Sequence, residues 1–167
     1  MIDDSPPNWR QIVETHSRRV FQVSMRILGS VQDAEDVSQD VFEELFRLHN
    51  HGPVQSWVGL LVRLATVRSL DCLRRRKPTL SLMDDDAAVH ASPHQALAAK
   101  ELAGLLRQAV GKLPDQQATV FVLAYYEQMS HAEIATHLEL STESVSASLY
   151  KARKRLSELL TLVRFGE

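Results

Sequence analysis

Three groups of residues in this chain could do chemistry, and in each the chemistry is binding rather than bond-making. The first is a row of acids, Asp33, Glu35, Asp36, Asp40, Glu43 and Glu44, interleaved with Gln39. Ala34, Val37, Val41, Phe42, Leu45 and Phe46 recur between them at helical spacing, so the acids fall on the opposite face. Such a run is most often a solvated face; the sharper alternative is a docking surface for a basic partner. The second group is Arg74-Arg75-Arg76-Lys77, the densest basic run, with Arg63 and Arg68 earlier on the same helix. Cations at a helix C-terminus are favourable in themselves. That accounts for one or two of the four, so the run points to a patch that follows a phosphate backbone.

The third group lies in Ser130–Leu160. Ser130 followed three residues later by Glu133 is a capping box that opens a short helix. After a four-residue break, Ser141 can cap a second helix, with Glu143 in its first turn. Val145, Leu149, Ala152, Leu156 and Leu159 make one apolar stripe along it. Two helices joined by a tight turn, the second amphipathic, form a helix-turn-helix, whose second helix enters the major groove by its N-terminal end. A plain packing hairpin of two helices fits the same spacing equally well. The outward positions are Thr142, Glu143, Ser144, Ser146, Ala147 and Tyr150, and the positive charge of Lys151 and Lys154 comes later.

No constellation for catalysis accompanies these groups. There is no glycine-rich phosphate loop, no H-E-x-x-H and no CxxC. His49 and His51 flank Asn50 in a turn, but with no third ligand beside them a polar loop is the better reading than a metal site. The chain is therefore expected to be no enzyme, with no cofactor, no metal and no small-molecule substrate. Cys72 is the single cysteine and cannot form an internal disulfide, which suits a reducing, cytoplasmic setting. The first residues lack the basic start and apolar core of a signal peptide, and no apolar run is long enough for membrane insertion. A net charge of −2 places any affinity for nucleic acid in local patches rather than a global field.

The elements that must position these groups are all helical, and no strand or internal repeat is evident. Helices are expected over Trp9 to Leu28, with Gly29 as stop, over Asp33 to Leu48, and over Val54 to Lys77, which Pro78 ends. Residues 79–95 lose periodicity and carry Asp84-Asp85-Asp86 and a proline, which reads as a flexible linker. Further helices follow over Ala96 to Gly111, where Leu97, Leu102, Leu105, Leu106 and Val110 are apolar, and over Asp115 to Tyr126. The expected fold is all-α: two small helical domains, 1–78 and 96–167, joined by the linker, the second ending in the helix-turn-helix.

Together these pieces resemble a bacterial sigma factor of the extracytoplasmic-function type in the sigma-70 family. Three motifs in order carry the resemblance. Asp33-Ala34-Glu35-Asp36-Val37-Ser38-Gln39-Asp40-Val41-Phe42 is similar to D-A-E-D-x-x-Q-E-x-F. Leu60-Leu61-Val62-Arg63-Leu64-Ala65 with Asp71-Cys72-Leu73-Arg74-Arg75-Arg76 is similar to W-L-x-x-I-A-R-N closed by D-x-x-R-R-R, with Thr66 and Val67 in place of the Arg-Asn pair. Leu113-Pro114-x-x-Gln117, Ser130-x-x-Glu133-Ile134-Ala135, Ser144-Val145 and Ala152-Arg153-x-x-Leu156 are similar to the second domain. There Gln128 and Glu139 stand where glycines are common, and Ser146 and Ser148 replace basic residues.

The resemblance implies a transcription initiation factor that binds core RNA polymerase and promoter DNA and is held by an anti-sigma factor. It places Asp33, Glu35, Asp36, Gln39, Asp40 and Glu43 on the polymerase. It places Arg63, Arg68, Arg74, Arg75, Arg76 and Lys77 at the minus-ten element, with His49, Asn50 and His51 where a flipped base is held. Thr142, Glu143, Ser144, Ser146, Ala147, Tyr150, Lys151 and Lys154 would face the minus-thirty-five element. A sigma mimic that titrates an anti-sigma factor without reading DNA is the competing reading, motivated by the serines in the recognition helix.

Overall fold

The computed structural model describes residues 7–48, 54–76 and 92–165, with side chains to 162. Within them every regular element is a helix: α1 Trp9–Leu28, α2 Val31–Leu48, α3 Trp57–Arg75, α4 Pro93–Gly111, α5 Asp115–Tyr125, α6 His131–Leu138 and α7 Thr142–Phe165. The all-α expectation holds, and the boundaries differ where a cap escaped notice. Ser30 accepts from the Asp33 amide at 3.4 Å through its side chain, so α2 starts before Asp33. Ser56 caps α3 at its Gly59 amide, two residues after Val54. Ser92 and Gln95 form a reciprocal capping box with Pro93 in the first turn of α4. That helix therefore takes in Pro93 to Gln95, the last residues of the stretch read as linker, because a proline at the first helical position has no donor to lose. The rest of that stretch up to residue 91 lies outside the described residues.

Helices α1, α2 and α3 pack on one another as one unit, and α4 to α7 as a second built around α7. Val20, Val23, Ile27, Val41, Leu45, Leu61, Val62 and Leu70 fill the first core. At one end of it, Trp9 meets Phe46 edge-on at 4.9 Å and Trp57 at 5.8 Å. Val120, Val122, Leu123, Ile134, Val145, Leu149, Ala152 and Leu156 fill the second. Full burial of side chains of this size contributes about 1.5–3 kcal/mol each before ordering costs. The two cores are continuous, because α3 also packs against α4, α5 and α6. Thr66 and Ser69, two polar residues of α3, are fully buried. On α4 the outcome differs from the apolar pattern: Leu97 and Leu102 stay 58% and 60% exposed, and burial begins at Ala109 and Val110.

Candidate nucleic-acid and protein interfaces

The acidic row is a true surface. Helix α2 turns Ala34, Val37, Val41, Phe42 and Leu45 inward, and this forces Glu35, Asp36, Gln39, Asp40 and Glu43 outward, where all are exposed. Glu35, Asp36 and Asp40 make no ion pair among the described residues. Gln39 donates to Glu43 at 3.3 Å, and Glu43 lies 4.0 Å from Arg47 one turn on. Asp33 is the exception in the expected set. It is half-buried and pairs with Arg76, which also donates to the Leu28 carbonyl at 2.9 Å. Arg76 thus ties the end of α1 to the start of α2. Its burial lowers its pKa, and the nearby Arg107 charge adds to that.

The basic row on α3 has a different fate. Arg68 donates to Glu44 at 2.6 Å, and this hydrogen bond holds its pKa above the ordinary arginine value, with the charges of Glu44, Asp71 and Asp40 adding to it against some burial. Arg74 donates from Nε to the Gly111 carbonyl at 3.2 Å, from Nη2 to the Leu113 carbonyl at 3.0 Å and from Nη1 to Asp115 at 2.7 Å. Arg63 is exposed, and its guanidinium lies 3.5 Å from the His137 carbonyl. Arg75 is exposed and, among the described residues, unpaired. His49, Asn50, His51 and Lys77 lie outside the described residues. Most of the arginines assigned to phosphate are thus engaged with protein in this arrangement. Sequence separation hid this: Arg74 meets a loop some forty positions away, which no local pattern announces. A cleft lined by Glu44, Leu48, Leu60, Arg63, Leu64, Val67 and Arg68 lies between α2 and α3.

In the helix-turn-helix the expected caps form. Ser130 accepts from the Glu133 amide at 3.2 Å, and Glu133 accepts from the Ser130 amide at 2.7 Å. Those bonds, the backbone one first, hold the Glu133 carboxyl below its ordinary pKa. Ser141 caps α7 through the Ser144 amide at 3.1 Å. Between them Glu139 turns the chain with φ 54°, and Gln128 does the same after α5 with φ 55°. These are left-handed positions where an L side chain costs about 1–2 kcal/mol. On α7, Glu143, Ser146, Ala147, Tyr150, Lys151 and Lys154 follow one another at three- and one-residue steps and form a single exposed stripe, with Thr142 at its start. Ser144 sits half-buried and accepts from Gln116 at 3.3 Å, as Ser148 does at 2.8 Å. Ser146 lies 3.1 Å from His131. Hydroxyls and an alanine methyl can read base edges and a thymine methyl, while the two lysines suit phosphate.

Sequence reasoning missed the residues that join the units. Glu127, in the turn after α5, has a fully buried carboxylate between Arg19 at 2.8 Å and Arg26 at 2.9 Å, both on α1. The partners are about a hundred positions apart, and nothing short-range signals them.

Two family profiles match the chain. A family profile described as Sigma-70 region 2 matches residues 12–79, and one described as Sigma-70, region 4 matches residues 103–156. The ECF RNA polymerase sigma factor SigW of Bacillus subtilis is 27% identical over 162 residues, 89% of this chain and 87% of that protein. The ECF RNA polymerase sigma factor SigE of Mycolicibacterium smegmatis is 29% identical over 92% of this chain, which spans only 62% of that relative. Among solved structures, CnrH in complex with the cytosolic domain of CnrY shares the fold with a TM-score of 0.60 and 24% identity, over 92% of this chain and 87% of that one. The sigma factor RpoE with the anti-sigma factor NepR from Bartonella quintana gives a TM-score of 0.58 at 16% identity, over 93% of this chain and 98% of that one.

Proposed function

Because this chain belongs to the sigma-70 family, as an extracytoplasmic-function member, we propose that it binds core RNA polymerase and directs it to specific promoters. It works by binding, in the cytoplasm where transcription takes place, and carries out no bond chemistry of its own. The two units, 1–78 and 96–167, divide the labour. The exposed row Glu35, Asp36, Gln39, Asp40 and Glu43 on α2 docks on a basic surface of the polymerase. Helix α3, with Arg63, Arg68, Arg74 and Arg75, faces the minus-ten element, and the α7 stripe faces the minus-thirty-five element. Each contact alone is weak, and carrying both on one chain makes the second intramolecular. An anti-sigma factor is the natural regulator, since both solved neighbours above are complexes with a second protein and one of those is named an anti-sigma factor.

The observation that carries the reading is the pairing of the exposed acidic row Glu35, Asp36, Asp40 and Glu43 on α2 with a capped helix-turn-helix in the same chain. Reconstitution with core polymerase and mapping of transcript starts tests it. The chain should give promoter-dependent transcripts with a shared upstream sequence. A variant with Arg74, Arg75 and Lys77 changed to alanine should still bind core polymerase and fail to open those promoters. Polymerase or anti-sigma binding without any promoter-dependent transcript would identify a sigma mimic instead.

A further inference from the structure

We infer that His131 is a specificity-determining residue that acts through Ser146: its Nδ1 takes the Ser146 proton, so that this hydroxyl meets DNA as an acceptor and selects amino-bearing bases. The inference rests on the reading of α7 as the helix that faces the minus-thirty-five element. The exposed stripe Glu143, Ser146, Ala147, Tyr150, Lys151 and Lys154 holds no arginine, asparagine or glutamine. Those side chains grip guanine or adenine with two hydrogen bonds and carry selectivity by themselves. The lysines stand five and eight positions after Ser146, whereas the start of a recognition helix meets the base edges. The outward polar groups near that start are Thr142, Glu143 and Ser146. A carboxylate only accepts, but a lone hydroxyl rotates and bonds a donor or an acceptor alike, so a serine by itself separates bases poorly.

Ser146 is not by itself. Its Oγ lies 3.1 Å from Nδ1 of His131, the first residue of α6. Both ends of this contact are fixed by caps: the Ser130–Glu133 box sets the start of α6, and Ser141 sets that of α7. On the opposite flank, Gln116 of α5 donates from Nε2 to Ser144 at 3.3 Å and to Ser148 at 2.8 Å. Ser146 comes two residues after Ser144, about 200° around the helix, so the Gln116 bonds hold α7 in the rotation that turns Ser146 outward. The ring nitrogen and the hydroxyl share one proton. His131 opens α6, and the positive end of a helix favours an acceptor there over an added charge. With its proton spent on Nδ1, Ser146 offers DNA only lone pairs. These suit the N6 amino group of adenine and the N4 amino group of cytosine, and leave O4 of thymine and O6 of guanine without a donor. A contact between α6 and α7 thus sets what α7 reads.

The test uses holoenzyme reconstituted from the full chain and core polymerase, on a promoter recovered by mapping transcript starts. Each base of its shared upstream sequence is replaced in turn by the other three. At one position of one strand, wild type should favour adenine or cytosine over thymine and guanine by about fivefold in transcript yield, the low end for a specific base contact. His131→Ala should erase this one preference and leave those at other positions. Ser146→Ala should do the same, and the double variant should be no worse than either, because the two residues act as a unit. His131→Asn keeps a hydrogen-bonding oxygen in place of Nδ1 and should restore most of the preference; His131→Phe should not. Circular dichroism checks that each variant is folded. If His131 only braces α6 against α7, His131→Ala lowers yield at every base alike, and that result overturns the inference. So does a preference at the Ser146-dependent position for thymine or guanine, or one that survives His131→Ala. If wild type yields no promoter-dependent transcript, the functional reading falls and takes this inference with it; if transcripts appear and His131→Ala leaves their base preferences intact, only the inference falls.

Discussion

Helices α2 and α3 are neighbours in one unit and carry charge of opposite sign, yet the surface of one is free and that of the other is occupied. On α2, Glu35, Asp36, Asp40 and Glu43 have no ion pair beyond their own helix among the described residues, and only Asp33 and Glu44 are held by arginines of α3 or its end, so the charge stands ready for another molecule. On α3, Arg68 and Arg74 are spent on Glu44 and on the α4–α5 connection. A charged row in a sequence therefore says that a surface exists and not that it is vacant; which of the two holds is decided by distant parts of the chain.

The contrast is most sharply broken by reversing the free surface. Asp36→Lys with Asp40→Lys should weaken core-polymerase binding about a hundredfold, because like charges across an interface cost several kcal/mol. The thermal midpoint should stay within a degree or so, since exposed positions without partners change stability little. Loss of binding together with loss of folding would mean that α2 is a structural face. On the occupied side, Arg74→Ala should cost about 1–3 kcal/mol in denaturant unfolding, the worth of hydrogen bonds made by a charged group, discounted toward the low end by its partial exposure. Arg75→Ala, one residue on, should leave stability unchanged and lower the salt slope of DNA binding by about one. Equal behaviour of these two variants would erase the distinction drawn between them.

Smaller effects separate the turns of the second unit. Glu139→Gly and Gln128→Gly should each raise stability by about 1 kcal/mol, because both positions hold left-handed backbone. The Glu133 capping bond adds a pH signature. Its carboxyl titrates below its ordinary value of 4.5, so the cap contributes fully above that value and is lost as pH falls through the depressed pKa. Glu133→Ala should flatten this acid limb of the stability curve while leaving the neutral plateau slope unchanged.

The legible part of the molecule was the local part. Trp9 and Leu28 bound α1 as expected, and the Ser130–Glu133 and Ser141 caps form as the spacing required, because a cap is settled within four residues. Gln128 and Glu139, which the resemblance sets where glycine is expected, occupy positive-φ positions of the turns, where an L side chain has a physical cost. Ser30, Ser56 and Ser92 were overlooked as caps, which displaced three helix starts by two or three residues. The partners of Arg74 and Glu127 were illegible for a different reason: tertiary contacts between units depend on how two finished bundles dock, and no periodicity encodes that.

The indole pair has an experimental consequence. Both tryptophans of this chain, Trp9 and Trp57, belong to one edge-stacked cluster at a single end of the α1–α3 bundle. Intrinsic emission excited at long wavelength therefore watches only that bundle, while the helix-turn-helix, which has no tryptophan, stays dark. Melting followed by emission and by backbone dichroism will separate into two curves if the halves unfold independently, and will superimpose if they fall apart together.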